Sequence, residues 1–68
     1  MKELHEVRYT ITDKGTTYPD QKQEVILKKG DTVKTALERE LKKYRRALSL
    51  STKFQFKIIV SQLVGYCQ

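Results

Sequence analysis

The hydrophobic period changes twice along this chain, and that change restricts its fold more than any other feature. From Leu4 to Thr12 apolar and polar residues alternate, with Val7, Tyr9 and Ile11 on one side and Glu6, Arg8, Thr10 and Thr12 on the other. A period of two is that of a half-buried strand. Gln23 to Lys28 is β-branched and apolar at its centre (Val25, Ile26, Leu27) and stops at Lys29-Gly30, as a second strand would. The period then lengthens. Val33, Ala36, Leu37, Leu41, Tyr44 and Leu48 recur at spacings of three and four, which gathers them on one face of a helix. Asp31 or Thr32 can accept a hydrogen bond from a free N–H of its first turn, and Arg45 and Arg46 fall in its closing turns, where cations offset the partial negative charge of a helix C-terminus. From Lys53 the period of two returns, with Phe54, Phe56, Ile58 and Val60 facing one way and Lys53, Gln55, Lys57, Ile59 and Ser61 the other.

The connecting segments complete the expectation. Asp13 to Asp20 holds Gly15, Pro19 and two Asp without a hydrophobic period, which predicts a turn or a long hairpin loop, the loop having Tyr18 and Pro19 at its tip. Ser49-Leu50-Ser51-Thr52 has weak helix propensity and predicts the helix exit. Leu63, Val64 and Tyr66 continue the last strand, with Gly65 as a bulge or the end of pairing. Residues 1–68 therefore read as one small α+β domain, a β-β-α-β unit in which one amphipathic helix covers one face of a three-stranded sheet. An antiparallel sheet of order 2-1-3 is favoured. The alternative sets the last strand beside the second as a parallel neighbour through a right-handed crossover.

The hairpin followed by Gly30-Asp31-Thr32-Val33 and a helix resembles the first half of the ubiquitin-like β-grasp over roughly the first two thirds of the chain. The chain ends before the later strands of that fold, so the resemblance implies architecture and no function. The same element order resembles small phage proteins that inhibit host enzymes, again as architecture alone.

Chemistry is constrained by what the chain holds. His5 is its one imidazole and Cys67 its one thiol. Together they supply neither an intramolecular disulfide nor the four ligands of a structural zinc site, and a catalytic pairing of the two would need a pocket with an oxyanion site as well. Glu38 and Glu40, two apart on a helix, point in different directions and pair with Lys42 and Lys43 instead. The reading is of a non-enzymatic protein without cofactor or metal. No apolar run approaches the roughly 20 residues that span a bilayer, and the charged start of the chain lacks the apolar core of a secretory signal. The expectation is a cytoplasmic protein that is not membrane-bound.

Charge points to a partner. Fourteen Lys and Arg stand against eight Asp and Glu, a net of +6. Six of those cations, Lys34, Arg39, Lys42, Lys43, Arg45 and Arg46, fall on the helix with only two Glu among them. Lys42 and Arg46 are like charges four apart, as are Arg39 and Lys43, which weakly destabilises an isolated helix and which a polyanion would relieve. Nucleic-acid backbone is the commonest polyanion, bound through counterion release with little sequence preference. Phe54-Gln55-Phe56 superficially resembles the paired rings of RNA-recognition sheets, but both rings are in phase with Ile58 and Val60 and so belong to the core. The competing expectation is a protein-binding regulator or inhibitor that meets an acidic protein surface through Tyr18, Ile26, Lys57 and Ile59. A homodimer through the last strand is expected from its long apolar run and from the small core of so short a chain.

Overall fold

The computed structural model describes residues 2–67, so the two ends of the 1–68 domain lie outside the described residues. Four elements follow in the order β1 (Lys2–Asp13), β2 (Thr16–Leu27), α1 (Val33–Lys43) and β3 (Gln55–Cys67). The sheet has the order β2-β1-β3, and β1 is antiparallel to both neighbours. This is the favoured arrangement from the sequence, and the parallel alternative beside β2 is set aside. Because β2 and β3 both oppose β1, they run in the same direction, and α1 carries the chain across from one edge strand to the other.

Of the turn and the long hairpin loop that the sequence allows, the turn is formed and the loop is not. Lys14 and Gly15 alone make the turn, with φ of 54° and 78°, and Asp13 pairs directly with Thr16. Positive φ at both central residues is the geometry that matches the twist of two antiparallel strands. Tyr18 and Pro19 consequently belong to β2. A bulge absorbs the residues that suggested a loop: Tyr9 pairs with Gln21 and Ile11 with Tyr18, leaving Pro19 and Asp20 opposite Thr10 alone. Asp20 has φ 59°, and Pro19 sits on an edge strand, where its missing N–H leaves no ladder partner unsatisfied.

Val7, Tyr9, Ile11, Val25, Ala36, Leu37, Leu41 and Leu50 form the buried core, with Leu27, Val33, Phe54, Phe56 and Ile58 packed half-buried against it. Burial raises the Tyr9 hydroxyl above its ordinary pKa. Three core assignments from the sequence are corrected. Val60 leaves the core because Ile59 is an extra residue in β3: Tyr9 pairs with Ile58 but Arg8 with Val60. One inserted residue reverses the alternation, and Val60 emerges on the opposite face, 50% exposed. Tyr44 and Leu48 are 47% and 49% exposed, because α1 ends at Lys43 and the chain leaves the helix axis before either can reach the sheet.

The segment after α1 makes one further turn and closes with Ser49 N–H donating to the Arg46 carbonyl (3.1 Å) and Leu50 N–H to the Arg45 carbonyl (3.0 Å). That nested pair around a left-handed residue, Ser49 at φ 58°, is a Schellman closure. It turns Leu50 into the core. Asp13, 6% exposed, then holds the exit in place, accepting from the Ser51 N–H (2.9 Å) and from the Ser51 hydroxyl.

Candidate functional site

The turn into α1 determines what the basic residues around it can do. Leu27 is followed by Lys28, Lys29 and Gly30, and Asp31 N–H donates to the Lys28 carbonyl across this turn (2.9 Å). Gly30 has φ 89°, a left-handed value that a side chain would strain. Thr32 is the N-cap, its hydroxyl oxygen accepting from Thr35 N–H (3.1 Å). Asp31, the other candidate cap, is used differently. Its carboxylate accepts from Lys28 N–H (3.0 Å) and from both terminal nitrogens of Arg39 (2.9 and 3.5 Å).

The six cations expected to form one binding face thus divide by role. Arg39 clamps the turn onto the helix through Asp31. Hydrogen bonding from the Arg39 guanidinium, aided by Lys28 N–H, holds the Asp31 carboxyl below the ordinary carboxylate range, and Asp31 in turn raises Arg39. Arg45 and Arg46 lie beyond the end of α1 rather than in its last turns. Arg45 donates to the Leu50 carbonyl (3.0 Å) and so fastens the helix exit. Lys42 pairs with Glu38 four residues earlier (3.0 Å), while its side chain stays two-thirds exposed. Lys43 extends over the Tyr44 ring, 5.4 Å from its centroid. Among the described residues, Lys34, Lys43, Arg45 and Arg46 have no carboxylate partner, nor have Lys28 and Lys29 of the turn before α1, and of the four only Arg45 is held by a backbone carbonyl.

Counted with its flanking turns, the segment from Lys28 to Arg46 carries eight cations against three carboxylates, a net of +5 out of the chain's +6. A second group of cations lies on the sheet face away from α1. Arg8 is directly opposite Lys22, and Lys57 faces Thr10 one row along. Lys22 reaches Glu6 at 3.6 Å. Facing cations repel, and the pairing of Arg8 with Lys22 arises from the bulge at Pro19-Asp20, which shifts the β2 register by one residue. No spacing in the sequence marks it.

The four residues of the protein-binding alternative do not share a surface. Tyr18 pairs with Ile11, a core residue, and lines a cleft of about 210 Å³ with Leu48 and Leu50 on the helix side. Ile26 pairs with Leu4 and lies on the other face. Ile59, the bulged residue of β3, is 62% exposed near Arg8. Only Lys57 and Ile59 are neighbours; the rows of Ile26 and Ile59 stand about 13 Å apart along β1 at 3.3 Å per residue.

His5 and Cys67 are likewise separated. His5 faces Val25 and Leu63 on the helix side and meets Glu3 through Nε2 (2.8 Å), whereas Cys67 pairs with Lys2 at the end of the sheet. The Phe54 and Phe56 rings, tilted by 32° with centroids 6.5 Å apart, pack against the core as their phase with Ile58 predicts. No helix among the described residues is long and apolar enough to cross a membrane. No protein-family model, curated protein or solved structure matches the chain.

Proposed function

We propose that the protein binds a polyanion, nucleic-acid backbone, through α1 and its flanking turns, with Lys34, Lys43 and Arg46 as the contacting cations. One observation carries this reading: Lys34, Lys43 and Arg46 lack a carboxylate partner among the described residues, within a segment that holds nearly all of the net charge. Cations already satisfied inside the fold, Arg39 by Asp31 and Arg45 by the Leu50 carbonyl, are scaffold. Those without a carboxylate partner are the ones that gain by displacing counterions from a phosphate chain. The helix presents no Asn or Gln to base edges, so the contacts fall on phosphate and register the backbone, not the sequence.

The test follows from that division. Lys34, Lys43 and Arg46 are changed together to Glu, the fold is checked by circular dichroism, and binding to unrelated duplexes and single strands is titrated over a range of salt. Wild type binds all of them with comparable affinity and weakens steeply as salt rises. The triple variant loses binding on every sequence, and single changes each lower the slope of log K against log salt by roughly one. Wild-type affinity that is absent at low salt, or unaffected by the triple change, overturns the reading and turns attention to the exposed apolar surface of the sheet.

A further inference from the structure

The two edges of the sheet are built differently. β2 carries what keeps an edge from pairing with another chain: Pro19, a bulge with Asp20 in the left-handed region, and the charges of Lys22 and Glu24. β3 shares the bulges, at Ile59 and Val64, but not the rest. Over thirteen residues it has one charge, Lys57, and no proline, and from Ile58 to Cys67 it has no charge at all. α1 packs over β1 and β2 and leaves β3 largely uncovered. Ile59, Val60, Leu63, Val64 and Tyr66, five large apolar residues within eight positions, are all exposed, Tyr66 at 60%.

We infer that the free edge of β3 pairs antiparallel with β3 of a second copy, centred on Ser61, to give one continuous six-stranded sheet. The occupant is argued from self-complementarity. A two-fold axis through Ser61 sets Phe56 opposite Tyr66 of the other copy, Val60 opposite Gln62, and Lys57 opposite Gly65. Directly opposed residues must share a face, and these three pairs do. The register with β1 puts Phe56, Ser61 and Tyr66 on the helix side, and Lys57, Val60, Gln62 and Gly65 on the other.

One extra residue lies on each side of Ser61, Ile59 two positions before it and Val64 three after, so Ile59 opposite Leu63 and Ile58 opposite Val64 are mismatched and the face agreement returns beyond them. Charge agrees as well. A chain of net +6 associates with itself most easily along its least charged strand, and in this register the two Lys57 side chains lie about 26 Å apart at 3.3 Å per residue.

Area sets the strength. A strip about 43 Å long, thirteen residues at 3.3 Å, and roughly 10 Å deep, the spacing over which side chains fill between layers, buries about 900 Å² over both copies. This is below the roughly 1,200 Å² of stable specific interfaces and in the range of weak, transient association, so the dimer is concentration-dependent. The two-fold axis stands perpendicular to the sheet, which leaves both helices on one side and both sets of Arg8, Lys22 and Lys57 on the other.

Cross-linking tests the register independently of any nucleic-acid binding. In a Cys67→Ser background, Ser61→Cys places two thiols directly opposite each other, where Cα atoms are about 4.5–5.5 Å apart, within the range a disulfide spans. Lys57→Cys in the same background places them far apart. Mild oxidation is expected to convert the Ser61→Cys protein to a covalent dimer at least tenfold faster than the Lys57→Cys protein, and sedimentation of the unmodified chain to show a monomer–dimer equilibrium. Equal rates for the two variants overturn the Ser61 register. An 8 kDa monomer up to millimolar protein overturns self-pairing altogether.

Discussion

Asp13, the last residue of β1, accepts both the backbone N–H and the hydroxyl of Ser51, thirty-eight residues further on. The pair ties the hairpin end to the chain as it returns from the helix towards β3, so that Gln55 arrives beside Thr12. Lys53 N–H donates in turn to the Ser51 hydroxyl oxygen (3.2 Å), which extends the tie towards the strand.

This carboxylate should dominate the acid limb of stability. Donation from the Ser51 hydroxyl and then from its N–H holds the Asp13 carboxyl below its ordinary value, with Lys14 adding a smaller effect. A carboxyl that is more acidic folded than unfolded stabilises the fold above the unfolded pKa, about 3.9 for Asp, and that contribution is lost as pH falls through the lower folded value. Wild type is expected to lose stability steeply below about pH 4. Asp13→Asn should be less stable at neutral pH and show a shallower acid limb, as read from urea midpoints at several pH values. An equally steep limb in the variant would move the acid sensitivity to Asp31, whose carboxyl is lowered by Arg39 and by Lys28 N–H.

Leu41 and Tyr44 occupy the same stripe in the sequence but not in the fold. Leu41 is 2% exposed in the centre of the core, and truncating a buried Leu to Ala costs about 2 to 5 kcal/mol. Tyr44 lies at the helix C-cap with its ring under Lys43, so Tyr44→Ala is expected to cost under about 0.5 kcal/mol, as for an ordinary surface change. Chemical denaturation of the two variants decides. Similar large losses in both would mean that the helix continues along its axis past Lys43.

What was legible in the sequence was periodicity, and what was not was its interruption. Val7, Tyr9 and Ile11 announce β1, and Ala36, Leu37 and Leu41 announce the buried face of α1, because each set repeats over enough residues to define a face. Single inserted residues leave no such trace. Ile59 reads as the outward partner of Lys57, yet its insertion is what expels Val60 from the core. Pro19 and Asp20 read as loop because their residue types favour turns, although an edge strand accommodates both. The basic segment was visible as composition. Its division into scaffold and free cations was not, since Arg39 meets Asp31 across eight residues, a separation that helical spacing alone does not bring together.

Ser49 is the fourth position at which a substitution should be informative. It closes the helix exit at φ 58°, and a side chain in the left-handed region costs roughly 1–2 kcal/mol. Glycine adopts that conformation without steric cost but loses about 0.5–1 kcal/mol more entropy on folding. Ser49→Gly is therefore expected to stabilise by about 0.5 to 1 kcal/mol, measured by thermal or urea unfolding. A destabilised variant would show that the Ser49 side chain itself contributes to the closure.

Arg39 and Lys34 separate scaffold from binding surface. Arg39→Lys keeps the charge but cannot reproduce the two-pronged contact with Asp31, because a guanidinium presents paired donors in a plane and an ammonium does not. The turn from Lys28 to Asp31 would loosen, and the urea midpoint is expected to fall, more at low salt than at high salt since part of the contact is screened. Polyanion affinity should stay close to wild type because the net charge is unchanged. Lys34→Ala should do the reverse. With no partner to lose, it leaves stability within about 0.5 kcal/mol of wild type while lowering the salt slope of binding by roughly one. Both effects appearing together in one variant would contradict the division of the basic segment into clamping and contacting cations.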